Sequence, residues 1–338
     1  MTKMKTPKRS IGMVLAVFFL LAAVICVSGP VQAEPVRLLS GSSSTSSSHY
    51  AYAVAAEKSI NEKSGDKVNV TTVATGGAVD NLERIDRGQI HFGLGTFATF
   101  YQAYKGLGKY EGKPRPKIRA LWLYSINSQN YIVRADSGIT SLEGLTGQKF
   151  CPGLRGSATE QLVQQLLDLI NVKPDYYRGS LADAVAAVKD NRIVGYAKSG
   201  AGFALDASTQ EIKAFNKIAI LDWPADKVAI IQKAIPFLNF AHIPEGTNPG
   251  QPAYTTPVQC IGYISYSDSL TEEQVYALLK GIHEAREYQE AAYLAIKGFD
   301  FGKETIKYTM FPLHAGAVRY FREKGYKIPE NLIPPEMK

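Results

Sequence analysis

The strongest constraint on the fold is a repeated alternation of short apolar runs, small polar turns and amphipathic helices. The predicted elements of the first part of the chain are strands at 36–39, 68–73 and 90–94 and helices at 50–60 and 80–87. Strand, turn, helix and strand in this order make βαβ units, which build parallel sheets. The sequence therefore predicts an α/β fold.

The pattern starts again in the middle of the chain. Its predicted strands are 131–133, 148–151, 193–197, 218–221 and 260–263, and its predicted helices are 141–145, 161–170, 180–188 and one that begins after Thr271. The residues that follow position 33 of the 338 are more than one hydrophobic core usually serves. Two lobes are therefore expected.

The first 33 residues have the pattern of a secretory signal peptide. Four basic residues precede Ser10, residues 11–27 are apolar without a break, and small residues stand at Val31 and Ala33. This predicts cleavage after Ala33 and export to the periplasm. An uncleaved anchor is the alternative, although the apolar run is short for a bilayer span. A lipoprotein is rejected, because Ile25 before Cys26 is not small.

Charge and cysteine content exclude some functions. The chain has 38 basic and 31 acidic residues, and loss of the four basic residues of the leader leaves a small positive excess. No lysine or arginine stripe follows, so a nucleic-acid partner is not expected. Cys151 and Cys260 lie far apart in different predicted elements, and buried free thiols are favoured over a disulfide.

Three predicted helices begin at turns of glycine, serine and threonine, namely 42–48, 75–78 and 156–159. In open α/β sheets ligands bind beyond the carboxyl ends of the strands, where helix N-termini favour anions. For any single turn, capping of the helix is the better explanation of its serine or threonine. Three such turns at one cleft favour a binding site for a small anion.

Four stretches around these turns resemble the TAXI family of TRAP transporter receptors. They occur in the family's order, cover most of the chain from about residue 36 to 325, and lie at 75–93, 133–149, 156–160 and 312–323. The resemblance implies a two-lobe periplasmic binding protein fold with crossing hinge strands and a central ligand cleft. In that arrangement lobe I is residues 34–127 and 256–338, and lobe II is residues 128–255.

The resemblance also implies a receptor without catalysis or cofactor that closes on its ligand and delivers it to a TRAP-type permease. Members are associated with amino acids and small carboxylates, and a monomer is the family expectation. The ligand's identity, the coupling ion and the permease stay open. A receptor for an ABC importer or a sensor kinase is the alternative, because the two-lobe fold does not separate these partners.

This chain departs from the family at two turns. Its first turn is serine-rich and ends at His49 and Tyr50, and the segment that begins at Thr96 and Phe97 is more apolar than the family's. A ligand with an aromatic or apolar part is therefore expected, with Tyr50, Phe97 and Phe203 as candidate walls. The candidate ligand-binding residues are Ser44, Thr45, Ser46, Tyr50, Thr75, Gly76, Asn81, Thr96, Phe97, Arg155, Ser157, Thr159, Lys198 and Ser199.

Of the two cations in this set, Arg155 is favoured over Lys198, since a guanidinium can bind a carboxylate through two hydrogen bonds. A solvated surface charge is the alternative for each. A secreted hydrolase is the rival from another class. The sequence lacks GxSxG, HExxH and CxxC motifs, and its five histidines have no metal-ligand spacing. His314, at a position where the family keeps a histidine, is expected to be structural.

Overall fold

The computed structural model describes residues 1–4 and 34–338. Residues Val36–Lys338 form one compact unit. Its ten strands, in chain order, are β1 Val36–Gly41, β2 Val68–Val73, β3 Phe92–Thr96, β4 Ile118–Arg134, β5 Lys149–Cys151, β6 Asp175–Tyr176, β7 Gly195–Ser199, β8 Ile218–Ile220, β9 Phe240–Ile243 and β10 Tyr254–Tyr266.

Eleven α-helices alternate with these strands in the same unit. They are α1 Ser48–Lys63, α2 Ala78–Asp86, α3 Phe97–Lys105, α4 Ala158–Leu169, α5 Leu181–Lys189, α6 Ala207–Phe215, α7 Ala225–Ala234, α8 Glu272–Glu284, α9 Arg286–Ala292, α10 Phe301–Tyr308 and α11 Ala315–Glu323.

The first lobe is built on a sheet with the strand order β2-β1-β3-β10-β4. Strand β1 pairs in parallel with β2 and β3, as two consecutive βαβ units require. Their carboxyl ends therefore meet at one edge of the sheet, where the turns that open α1, α2 and α3 also lie. Strand β10 pairs antiparallel with β3 and closes this parallel part of the sheet.

The second lobe is built on a sheet with the order β4-β7-β5-β6, in which β8 also pairs with β4. Strands β5, β6 and β7 are parallel to one another, and β7 and β8 are antiparallel to β4. The turn that opens α4 follows β5. The second lobe thus brings its own strand ends to the cleft.

Strands β4 and β10 cross from one lobe to the other. The first part of β4 pairs with β10 along Ile118–Ser128, and its last part pairs with β7. In the same way β10 pairs with β9 before it enters the first sheet. Two antiparallel crossing strands are the hinge of this α/β fold, and the fold class predicted from the sequence is confirmed.

Separate hydrophobic cores occupy the two lobes. The first core surrounds Trp122, Tyr263 and Leu278, and the clusters of the second lobe surround Phe150, Trp223 and Tyr196. At about 25 cal/mol per Å² of buried apolar surface, each set of side chains can stabilise its own lobe. The lobe boundaries given above, 34–127 with 256–338 and 128–255, stay a prediction.

Most of the predicted elements are confirmed within two or three residues. The short helix predicted at 141–145 forms only in part, as one 3₁₀ turn at Glu143–Leu145. Three residues fix one turn only, too short for a helix to propagate. The spacing of Ser157 and Glu160 predicts a capping box, and half of it forms. Ser157 Oγ accepts from Glu160 N at 3.0 Å, but the Glu160 carboxylate accepts from Gly156 N.

Both cysteines of the described unit are free, with Cys151 buried and Cys260 half-buried. The predicted signal peptide, apart from its first four residues, lies outside the described residues. Among residues 1–4 and 34–338, no helix combines the length and the apolar character needed to cross a membrane.

Candidate functional site

A cavity of about 70 Å³ lies between the two lobes at the ends of their parallel strands. The first lobe lines it with the turn before α1, the N-terminus of α2 and the end of β3. The second lobe lines it with the N-terminus of α4 and the end of β7. The sheets themselves make this placement, because parallel strands deliver their following turns to the same edge.

Several hydroxyl groups around the cavity cap helices. Ser47 Oγ accepts from His49 N at 3.3 Å, Thr96 Oγ1 accepts from Thr99 N at 3.3 Å, and Ser157 Oγ caps α4 as described above. An N-cap hydroxyl typically stabilises its helix by about 1 kcal/mol. Capping, the alternative left open by the sequence, therefore accounts for these three hydroxyls.

Two other hydroxyls at the cavity have no such explanation. The Oγ atoms of Ser43 and Ser199 are buried, line the cavity, and have no hydrogen-bond partner among the described residues. A buried polar atom without a partner costs about 1–3 kcal/mol, which a hydrogen bond to a bound molecule would offset. These two groups, one from each lobe, are free to bind a molecule in the cavity.

The lobes touch beside the cavity through what we call the Asp206 contact, formed by Ser47, Ser48, Lys198, Asp206 and Ala207. Ser48 N donates to Asp206 Oδ2 at 3.0 Å, and Ala207 N donates to Ser48 Oγ at 3.0 Å. Lys198 Nζ lies 3.4 Å from Asp206 Oδ1 and donates to Ser47 Oγ at 3.3 Å. The contact joins the start of α1 in the first lobe to β7 and the start of α6 in the second.

Burial and charge together set the protonation of this contact. Burial alone would raise the pKa of Asp206, but the Lys198 ammonium and hydrogen bonds from Ser208 outweigh it and lower the pKa to about 2. Burial and the Lys198 charge lower the pKa of His49 to about 3. At neutral pH Asp206 is therefore ionised and His49 is neutral.

His49 is held by partners in the first lobe and on the crossing strand. Its Nδ1 lies 2.8 Å from the Tyr124 hydroxyl, and its Nε2 lies 3.3 Å from Asn127 Nδ2. Asn127 Nδ2 also donates to the Gly200 carbonyl at 2.8 Å. The imidazole is a fixed, uncharged part of the cavity wall.

A second set of inter-lobe bonds, the Gln102 contact, joins α2 and α3 to the start of α4. Val79 N and Asp80 N donate to the Gly156 carbonyl at 3.0 and 3.1 Å. Gln102 exchanges side-chain bonds with Gln161 at 2.6 Å and Gln165 at 3.2 Å. No charged side chain takes part in these bonds.

Close approach at this second contact depends on Gly76. A Cβ atom at that position would lie 2.7 Å from the Arg155 carbonyl oxygen, closer than real Cβ contacts allow. The turn therefore needs glycine at 76 for the lobes to come together as they do. The need for glycine at 76 thus comes from packing between the lobes and not from contact with a ligand.

The crossing strands supply the floor of the cavity. Thr159 Oγ1 donates to Gln129 Oε1 at 3.1 Å, and Gln259 Nε2 donates to the same oxygen. Gln259 and Ile261 of β10 line the cavity. These bonds satisfy the Gln129 side-chain oxygen, whereas its Nε2 is buried and has no hydrogen-bond partner among the described residues.

Half of the candidate residues predicted from the sequence line the cavity. These are Ser44, Gly76, Thr96, Ser157, Thr159, Lys198 and Ser199. The other candidates lie elsewhere. Thr45 and Ser46 are exposed, Tyr50 is half-buried away from the lining, and Thr75 Oγ1 donates to the Ser42 carbonyl at 2.8 Å.

Asn81, Phe97 and Arg155 have other roles than lining the cavity. Asn81 Nδ2 donates to the carbonyls of Ser42 and Leu94 and ties β1 to β3. Phe97 is fully buried against Phe311 in the first core. The side chain of Arg155 is exposed and does not line the cavity, so the structure reverses the order of the two cations that the sequence favoured.

Sequence reasoning did not select several residues that line the cavity or support it. Ser43, Ser47, His49 and Gln259 line it, and Asp206 lies behind Lys198. Ser47 could have been found as the N-cap of the helix predicted at 50–60. Nothing in the sequence around Asp206 distinguishes it from an ordinary N-cap of α6, whose first turn it does cap.

A larger groove of about 1050 Å³ lies on the other face of β10. Val258 and Cys260 line the groove, whereas Gln259 and Ile261 line the cavity, because successive strand residues point to opposite faces. Phe203, expected as a wall of the ligand site, lines this groove instead. The smaller cavity is the candidate site, since it has unpartnered buried hydroxyls from both lobes.

His314 is structural. Its Nδ1 accepts from Gly316 N at 3.2 Å at the start of α11, and its Nε2 lies 3.1 Å from the Leu270 carbonyl oxygen. Asp183 forms a capping box with Ser180 at the start of α5. Within the described part of the chain, no three histidine, cysteine, aspartate or glutamate residues are grouped so that they could hold a metal ion.

Comparison with solved structures supports the same architecture. A protein from Bordetella bronchiseptica RB50 superposes with a TM-score of 0.52 at 17% identity, covering 88% of this chain and 86% of that one. A TRAP periplasmic solute-binding protein from Bordetella gives a TM-score of 0.44 at 13% identity, with 88% and 97% covered. The aliphatic sulphonate-binding protein SsuA from Escherichia coli gives 0.41 at 13% identity, with 86% and 84% covered.

At these identities the similarity extends to the fold alone, a two-lobe α/β fold. Comparison with protein families also shows the family of the chain, because the model of one family matches residues 41–325, the larger part of the sequence. The chain belongs to the NMT1-like family.

Proposed function

We propose that the chain is a periplasmic solute-binding receptor of the TAXI type, which captures a small organic anion and delivers it to a TRAP-type permease. The observation that carries the proposal is the pair of buried, unpartnered hydroxyls of Ser43 and Ser199 at a cavity between two lobes. Export by the predicted leader and the four family-like stretches support the compartment and the permease class.

The ligand in this proposal is held by both lobes. Lys198 favours negative charge, and the Ser43 and Ser199 hydroxyls can donate hydrogen bonds to it. Leu94, Leu154 and Leu181 contact its apolar part. Because both lobes contribute, binding favours the closed arrangement, which is the form that a permease can recognise.

Substitution of the two unpartnered serines tests the site. Ser199→Ala and Ser43→Ala should each weaken binding of the best ligand about 10-fold or more, as loss of a hydrogen bond to a charged carboxylate implies. The same changes should leave the melting temperature of the empty protein unchanged or raise it, because each removes a buried polar atom without a partner. Calorimetry with a panel of small carboxylates gives the affinities, and thermal unfolding gives the stability.

Ser59→Ala is the matched control. The Ser59 hydroxyl is fully buried and lies within hydrogen-bond distance of the Ala55 and Ala285 carbonyls, at 2.9 and 2.8 Å. Its loss should lower the melting temperature and leave affinity unchanged. Serine variants at 43 and 199 that behave like Ser59→Ala would contradict the proposed site.

A further inference from the structure

The charged residues at the cavity limit the number of charges that a bound ligand can carry. Lys198 is the only lysine or arginine among the described residues that line the cavity, and no aspartate or glutamate is among them. Behind Lys198 lies Asp206, whose side chain is fully buried 3.4 Å from the ammonium. The pair is neutral as a whole, and one positive charge faces the cavity.

Further negative charge already occupies the helix N-termini beside the cavity. Asp80 lies in the first turn of α2, where its carboxylate accepts from Gly76 N at 2.8 Å. Glu160 lies in the first turn of α4 and accepts from Gly156 N at 2.8 Å. Each carboxylate is also paired with an arginine, Asp80 with Arg84 at 3.0 Å and Glu160 with Arg178 at 2.7 Å, so these arginines are already engaged. A ligand with two anionic groups would find no second cation among the residues that line the cavity.

The apolar part of the lining is unsuited to a second charge. Side chains from both lobes form it, namely Leu94, Leu154, Leu181, Ala197 and Ile261. An ammonium group would find serine hydroxyls and the Gln259 amide but no carboxylate. Burial of an unpaired charge against such a surface is strongly unfavourable.

We infer that the ligand is a compact monocarboxylate with an apolar body, without a second carboxylate and without an ammonium group. This inference rests on the proposed function of the same cavity and narrows its ligand class. In the inferred arrangement the carboxylate lies beside Lys198 and accepts hydrogen bonds from the hydroxyls of Ser43 and Ser199. The apolar body lies against Leu154, Leu181 and Ile261.

Matched sets of ligands test the inference on the wild-type mature chain by calorimetry. Each set has one carbon skeleton: butyrate, succinate and 2-aminobutyrate; pentanoate, glutarate and norvaline; hexanoate, adipate and norleucine. The monocarboxylate should bind at least about 10-fold more tightly than its two partners in the set of best-fitting length.

Asp206→Asn changes the charge balance and keeps the helix cap, because asparagine caps as well as aspartate. The variant has an uncompensated Lys198, so the affinity ratio of dicarboxylate to monocarboxylate should rise about 10-fold or more. Asp190→Asn, an exposed substitution next to Arg192 on the surface of the second lobe, is the control and should leave the ratio unchanged.

The outcomes separate the inference from the function. Tighter binding of a dicarboxylate or an amino acid to the wild type would overturn the inference and leave the receptor proposal standing. No binding in any set would overturn the inference and count against the receptor proposal as well. If Asp206→Asn does not fold, the wild-type comparison alone still decides.

Discussion

The two inter-lobe contacts differ in chemistry, although both hold the lobes together beside the same cavity. The Asp206 contact buries an ion pair, with 0% of the Asp206 side chain and 12% of the Lys198 side chain exposed. The Gln102 contact uses neutral amides and backbone groups, and Gln161 and Gln165 are only half-buried. Water can replace the second set of bonds when the lobes part. The Lys198–Asp206 pair, in contrast, is largely shielded from water.

In the proposed receptor, this difference predicts which bonds would break when the lobes part. Neutral bonds at a partly wet surface contribute little net free energy, typically about 0.5–1.5 kcal/mol each. A buried ion pair is tolerated only while both partners are present. Both charged groups of the pair belong to the second lobe, so opening keeps the pair and breaks only its bonds to Ser47 and Ser48.

Asp206→Ala should have the largest effect, because it leaves the Lys198 ammonium buried without its partner. Loss of one member of a buried pair typically costs about 3–5 kcal/mol. Urea unfolding of the mature chain should show a loss of this size. Asp190→Ala, at an exposed ion pair, should change the unfolding free energy by less than about 0.5 kcal/mol, and an equal effect of the two changes would contradict the importance of the Asp206 contact.

His49→Gln should change how the free energy of unfolding depends on pH. The pKa of His49 is about 3 in the fold, so between pH 6.5 and 3 the unfolded chain binds a proton that the native chain does not. The wild type should therefore lose stability as pH falls through this range, by up to about 1.4 kcal/mol per pH unit from this group. Depression of the Asp206 pKa adds a loss of the same sign only below about pH 4.

In His49→Gln that slope should be reduced between pH 6 and 4, and urea unfolding at several pH values measures it. His242→Gln, at a residue on the exposed edge strand β9, is the control. An unchanged slope in His49→Gln would show that the imidazole is not buried in its neutral form.

Gly76→Ala should disturb the Gln102 contact and leave the Asp206 contact bonded within the second lobe. The new methyl group meets the Arg155 carbonyl, so the lobes should stay further apart. We expect about 10-fold weaker ligand binding, equivalent to about 1.4 kcal/mol, and a larger radius of gyration by small-angle scattering. Gly144→Ala, in the 3₁₀ turn at Glu143–Leu145, is the control; identical scattering for both variants would contradict this role of Gly76.

Gln102→Ala should have the smallest effect, because it removes neutral bonds at a surface that water can reach. Its expected cost is below about 1 kcal/mol in stability, with less than a 5-fold change in affinity. A loss as large as that of Asp206→Ala would mean that the two contacts do not differ as described.

The limits of sequence-based prediction are clearest along the crossing strand β4. Its apolar ends, around Trp122 and Tyr131, carry the usual strand signal. Its middle, residues 125–130, consists of serine, isoleucine, asparagine and glutamine, a composition that does not predict a strand. These polar side chains are buried because partners on other elements, such as Gly200 and Tyr254, bond to them.

Helix α3 shows a second limit of sequence-based prediction, since a residue expected at the ligand site lies in the core. Residues 97–105 follow Thr96 without an obvious break, and the sequence suggested a ligand-facing segment around Phe97. In the fold Thr96 caps the helix, and Phe97 faces the first core. Aromatic residues near a predicted site are more often part of the core, and only packing decides between the two roles.

Local physical chemistry, readable in the sequence, determined the α/β class, most strands and helices, and the three turns that open helices at the cleft. Those features depend on periodicity, capping and turn residues within a few positions of each other. The tertiary structure alone decided which turn residues face the cavity and that Lys198 rather than Arg155 lines it. It also paired Lys198 with Asp206 and joined Ser48 to Asp206 across 158 positions of sequence. Burial and partnership depend on distant segments meeting, and no local pattern encodes them.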